Sequence, residues 1–145
     1  GGIRVPLIVR WPGHIEPGSN SQFAGAFWDV MPTLAELAGT SKQVPDDIDG
    51  ISFLPSLLQQ GEQQQHDYLY WAFYERGGSR ALRSGDWKAI QQPIHTPVRL
   101  YNLKTDLGEQ VDVAAANQQL VRELTRTMDA AYAPSDRWKF PEKKK

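Results

Sequence analysis

The sequence predicts an α/β chain, α+β within this span: the end of an α/β domain, then a small antiparallel sheet packed with one helix. Three observations carry that reading. Residues 5–11 form a nearly continuous apolar run closed by Pro12-Gly13, the pattern of a strand buried on both faces. Several strand-like segments between residues 68 and 103 are separated by turn residues. Apolar residues recur at helical spacing from 120 to 132.

The elements follow in order. The run at 5–11 needs cover on both faces, which hints at chain beyond this span. Residues 29–39 predict a helix: Asp29 can cap it, Pro32 is tolerated in its first turn, and Gly39 can end it. Val30, Leu34, Leu37 and Ala38 form its apolar face. A loop through Asp46, Asp47, Asp49 and Gly50 leads to a second short helix, from a Ser52 cap through Leu54, Leu57 and Leu58 to Gly61. Residues 59–66 are polar and low in complexity, the best linker candidate. The boundaries expected are therefore 1–62 for the first part, 66–140 for the second, and 141–145 for a basic tail.

In the second part, residues 68–74 are aromatic-rich and strand-like. Gly77-Gly78 marks a turn. Ala81-Leu82-Arg83 and Trp87-Lys88-Ala89-Ile90 flank Ser84-Gly85-Asp86 as a hairpin. Residues 98–103 predict another strand. Leu120, Val121, Leu124, Met128, Ala131 and Tyr132 share one stripe of the closing helix, with Asn117 as a plausible cap.

Composition excludes several classes. The 145 residues are 40% hydrophobic with a net charge of −1, which suits a globular fold with a core. Residues 1–65 carry a net −4 and residues 66–145 a net +3, with no concentrated basic face, so nucleic acid is not an expected partner. No apolar run approaches the ~20 residues of a membrane helix, and no membrane partner is expected. With no cysteine there is no disulfide, thiolate metal site or Cys nucleophile among these residues. The start at Gly1-Gly2, without Met, suggests a fragment and says nothing about export.

Five segments, in order, resemble the C-terminal region of type I sulfatases, enzymes of the arylsulfatase kind in the alkaline phosphatase superfamily. Residues 1–13, GGIRVPLIVRWPG, are similar to that family's GG-(I/V)-R-x-P-hydrophobic-W-P-G stretch. Asp29, Pro32, Thr33 and Leu34, followed by Leu37-Ala38-Gly39, resemble its D-x-x-P-T-L…LAG helix. Asp49-Gly50-Ile51-Ser52-Phe53-Leu54 resembles its DG-x-S-(F/L)-L segment. Ala81-Leu82-Arg83 with Gly85-Asp86-Trp87-Lys88, and Leu100-Tyr101-Asn102-Leu103 with Asp106 and Glu109, resemble a hairpin and a strand-turn of the same family.

The resemblance implies an alkaline-phosphatase-like fold and a sulfuric ester hydrolase as the complete enzyme. It implies a formylglycine nucleophile, made from Cys or Ser in a C/S-x-P-S/A-R motif, and a calcium ion that polarises the sulfate. Neither is expected in this chain, whose serines at 19, 21, 41, 52, 56, 79, 84 and 135 lack that context. No catalytic residue and no metal ligand is therefore expected here. The expected partners are the missing N-terminal catalytic part of the same protein and, for the complete enzyme, a sulfated small molecule or glycan. The resemblance also implies a periplasmic or secreted location. Two other readings stay open: a carbohydrate-binding module on the aromatic second half, and the end of a related phosphodiesterase or phosphonate hydrolase.

Four residues are candidates for a substrate-pocket rim: Arg4, Glu75, Arg76 and His95. Arg4 opens the apolar run, where a structural salt bridge is the plainer role. Glu75 and Arg76 sit beside Gly77-Gly78, and His95 lies in an irregular loop between strands; loops are where binding residues concentrate. His14 and His66 are expected to be surface loop residues. Asp46, Asp47 and Asp49 lack the spacing of a calcium loop and predict a turn.

Overall fold

A computed structural model describes residues 2–142. The chain divides into two compact units. One is Arg4–His66; the other comprises residues 67–142 together with residues 2–3.

The first unit is held by short elements around a buried carboxylate. A 3-10 turn at Phe27–Asp29 runs into α1, Val30–Leu37. Gly39, at φ +68°, ends α1: its N–H bonds to the Glu36 carbonyl and that of Thr40 to the Ala35 carbonyl. This paired arrangement needs the left-handed conformation that glycine adopts without cost. The second helix, α2, spans Leu54–Leu58, and Ser52 Oγ accepts from the Leu54 N–H.

Two sequence expectations fail in this unit. Residues 5–11 form no strand, and Val5, Leu7 and Ile8 are 75%, 66% and 89% exposed. A strand exists only by pairing, and among the described residues no neighbouring strand pairs with this run. The apolar stripe of α1 is not its buried face. Pro32 and Thr33 are buried instead, while Met31, Leu34 and Leu37 face solvent. The stretch at 59–66 leads to the division between the two units, after His66, and is itself tied to the first unit. Gln63 Oε1 accepts from the Ser56 N–H, and its Nε2 donates to the Ser52 carbonyl.

The second unit is a four-stranded antiparallel sheet in the order β1-β2-β3-β4, from Leu69–Phe73, Ser79–Ser84, Trp87–Gln91 and Arg99–Asn102. β2 and β3 join through Gly85-Asp86, with Ser84 opposite Trp87 and Gly85 at φ +53°. Glycine suits that position in a two-residue hairpin. Register aligns Tyr70, Leu82, Ala89 and Leu100 across the sheet on one face.

Helix α3, Gln118–Ala131, lies on that face, as its stripe predicts. Leu82, Ala89, Leu100, Leu124 and Met128 form the core, with Tyr70, Trp87, Leu120 and Val121 packed around it. Asn117 is not a side-chain cap; its Nδ2 donates back to the Val113 carbonyl. Of the expected basic tail, Lys143, Lys144 and Lys145 lie outside the described residues, and Pro141 is engaged by the fold.

Candidate functional site

The densest polar chemistry in the first unit centres on Asp29. Its side chain is fully buried, a costly place for a carboxylate unless every oxygen is used. Oδ2 accepts from the Ala26 N–H at 2.6 Å and Oδ1 from the Ile51 N–H at 3.0 Å. His66 Nε2 lies 3.0 Å from both oxygens. The neighbouring Thr33 Oγ1 donates to the Asp29 carbonyl at 2.7 Å and accepts from the Phe53 N–H at 3.0 Å.

Thus Asp29 is a tie rather than an α1 cap, and His66 is a buried partner rather than a surface histidine. Phe23 stacks beside both the Phe53 and His66 rings, at centroid distances of 6.2 and 6.0 Å. Gly50 is demanded by the same construction: a Cβ there would lie 2.3 Å from the Trp28 carbonyl oxygen. Sequence reasoning missed this network because its partners are 22 and 37 residues apart and follow no local spacing.

A second buried charge lies on the sheet face opposite α3. Lys88, 4% exposed, donates to Glu109 Oε1 at 2.6 Å. Trp71, Phe73, Ile90, Arg99 and Tyr101 line a hollow around this pair. Burial opposes ionisation of Glu109, but hydrogen bonding and charge from Lys88 work the other way, and its carboxyl sits below the ordinary value. Glu109 itself has φ +56°, a left-handed conformation uncommon for a side-chain-bearing residue. The turn before it is braced by Asp106, whose Oδ2 accepts from the Gln110 and Val111 N–H groups.

Three of the four rim candidates share one end of the sheet. The β1–β2 connection carries Glu75 and Arg76, and the β3–β4 connection carries His95. The Ile94 N–H donates to the Gly77 carbonyl at 3.3 Å, which brings the two connections together. Glu75, Arg76 and His95 are all exposed, and Arg76 has φ +51°. His95 Nε2 donates to the Pro141 carbonyl at 2.7 Å. Arg4 belongs to the other unit, where it is exposed and makes no ion pair among the described residues, so its expected salt bridge is not formed.

Among the described residues, no group of three or more His, Asp or Glu side chains could hold a metal ion. Asp46, Asp47 and Asp49 are exposed in an irregular turn. No described helix is long and apolar enough to cross a membrane.

Comparison with known proteins agrees with this architecture. The family model described as N-sulphoglucosamine sulphohydrolase, C-terminal, matches residues 1–133. Bovine arylsulfatase A is 32% identical over 152 residues, covering 88% of this chain and 29% of its own length. Rat steryl-sulfatase is 43% identical over 160 residues, covering 90% of this chain and 28% of its own. The structure of BT4656 in complex with its substrate, D-glucosamine-2-N,6-O-disulfate, superposes with a TM-score of 0.69 at 27% identity; the match covers 88% of this chain and 29% of that one. The chain thus spans less than a third of the relatives it matches. With motif order, sheet topology and these likenesses in agreement, the chain belongs to the sulfatase family and corresponds to the C-terminal region of such an enzyme.

Proposed function

We propose that this chain is the scaffold and pocket-rim portion of a sulfate-ester hydrolase whose reacting groups lie in a preceding part of the protein. One observation carries the reading: the fully buried carboxylate among the described residues is spent on internal ties, while exposed polar side chains gather at one sheet end. Asp29 holds two backbone N–H groups and His66, which leaves it no part in binding a cation. The residues present do not fit the calcium site or the formylglycine nucleophile that the family resemblance implies. Both are assigned to the part of the protein outside this chain.

The exposed apolar surface supports the same reading. Val5, Leu7, Ile8 and Val9 form an unpaired apolar run, and Met31, Leu34 and Leu37 an uncovered helix stripe. Soluble proteins seldom leave such surface bare. The preceding part of the parent enzyme is the proposed cover, with residues 5–11 completing its sheet.

Substrate would meet Arg76 and His95 at the rim, where an arginine fork suits a sulfate oxygen pair. The substrate class proposed is a sulfated small molecule or glycan. In the parent enzyme, Arg76→Ala and His95→Ala should each raise KM for a sulfated disaccharide several-fold and leave kcat nearly unchanged, the mark of lost uniform binding. Unchanged KM in both variants would reject the rim assignment. The 145-residue chain alone should not hydrolyse 4-methylumbelliferyl sulfate, and turnover there would overturn the scaffold reading.

A further inference from the structure

The segment after α3 does not run off into solvent. Phe140 packs against Tyr74 and Tyr132, with ring centroids 4.8 and 5.3 Å away. Gly78 lies beneath it: a Cβ there would meet both Phe140 and Pro141 at 3.0 Å. The Pro141 carbonyl then accepts from His95 Nε2. Ser135 Oγ accepts from the N–H groups of Arg137 and Trp138 and fixes the bend that sends the chain back. These contacts reach both connections at the rim end of the sheet and the end of α3. The family model stops at residue 133, so this segment lies beyond the family match.

We propose that residues 134–142 are a strap that positions the rim loops, with Phe140 as its anchor and the Pro141 carbonyl as the group that orients His95. The proposal rests on the rim reading above and adds what holds the rim in place. A carbonyl can only accept, so His95 Nε2 carries the proton of this bond. Its Nδ1 is left as the free ring position, an acceptor when the ring is neutral. The strap therefore fixes both the direction of the imidazole and its tautomer. Phe140 and Pro141 are positioning residues and touch no reacting group.

The core beneath is independent of the strap, since Leu82, Ala89, Leu100, Leu124 and Met128 pack without it. Deletion of residues 134–142 within the parent enzyme should thus leave the fold standing and loosen only the loops. Three readings test this in the deletion variant and in Phe140→Ala. KM for a sulfated disaccharide should rise roughly fivefold or more with kcat held within about twofold. Amide exchange should accelerate at Gly78 and Ile94 while protection at Leu82 and Leu100 persists. In enzyme with ¹⁵N-labelled histidine, His95 should move toward the tautomer mixture of a free imidazole, and Phe140→Tyr should restore the wild-type signal.

Unchanged KM in both strap variants, where Arg76→Ala does raise it, overturns the strap and leaves the rim intact. Unchanged KM in Arg76→Ala and His95→Ala removes the rim reading, and the strap with it as a substrate-positioning device. Unchanged exchange at Gly78 and Ile94 overturns the strap whatever the kinetics show.

Discussion

Replacing Asp29 should unravel the first unit in a graded way set by hydrogen-bond chemistry. In Asp29→Ala, the Ala26 and Ile51 N–H groups and His66 Nε2 all lose their acceptor. A buried donor left unmet costs about 1–3 kcal/mol. Ala26 and Ile51 are only part-buried, so water can replace some of what is lost. A total of about 4 kcal/mol follows, against a usual domain stability of about 5–15 kcal/mol. Asp29→Asn keeps one carbonyl acceptor and turns an amide N–H₂ toward the other backbone donor. His66 can respond by taking the opposite tautomer and accepting from that amide. The cost of Asn is therefore about half that of Ala, roughly 2 kcal/mol. Urea unfolding gives the totals, and native-state amide exchange at Ile51 and Phe53 shows where the loss falls. An Ala cost below about 1 kcal/mol, or an Asn variant less stable than the Ala variant, would refute the argument.

The second unit gives two further tests. Met128 is fully buried in the core, so Met128→Ala should cost about 2–5 kcal/mol in urea unfolding of the 145-residue chain, whereas the same change at Met31, exposed in that chain, should cost far less. The Lys88–Glu109 pair should make stability depend on acidity. The folded carboxyl is lowered from its ordinary 4.5, so the pair's contribution is present above that value and is lost as pH falls through the lowered one. The slope of unfolding free energy against pH in that acid range should shrink in Glu109→Gln. Glu109→Gln should also be destabilising at neutral pH, since it strands a buried ammonium.

The sheet and α3 were legible in the sequence because their signals are local. Gly85-Asp86 between two β-rich runs specifies a hairpin within a few residues, and Leu120, Leu124 and Met128 specify a helix face by spacing alone. The first unit was read less well. Its apolar stripes at residues 5–11 and on α1 point to burial, but burial needs a second surface, and none is present in this unit. Pattern reports what a segment is suited to bury, not whether its partner is at hand.

The polar ties were illegible for a different reason. Asp29 looks like a cap because caps are short-range and acidic residues favour helix starts. Its real partners, Ile51 and His66, are fixed only once the chain has folded back on itself. Lys88 carries a similar lesson. In the alternation of β3 it stands on the face opposite Ala89, where a lysine reads as solvent-facing, yet Glu109 arrives from a turn to bury it. Both ties join segments that the hydrophobic pattern leaves independent, and a buried charge pair tolerates little misalignment because each unmet group is costly. Apolar spacing therefore specifies the elements, and these few long-range polar contacts select how their connections meet. The rim candidates depend on that second kind of information: Glu75 and Arg76 share an end of the sheet with His95 because the Gly77 carbonyl meets the Ile94 N–H, and nothing in the local sequence of either loop announces the other.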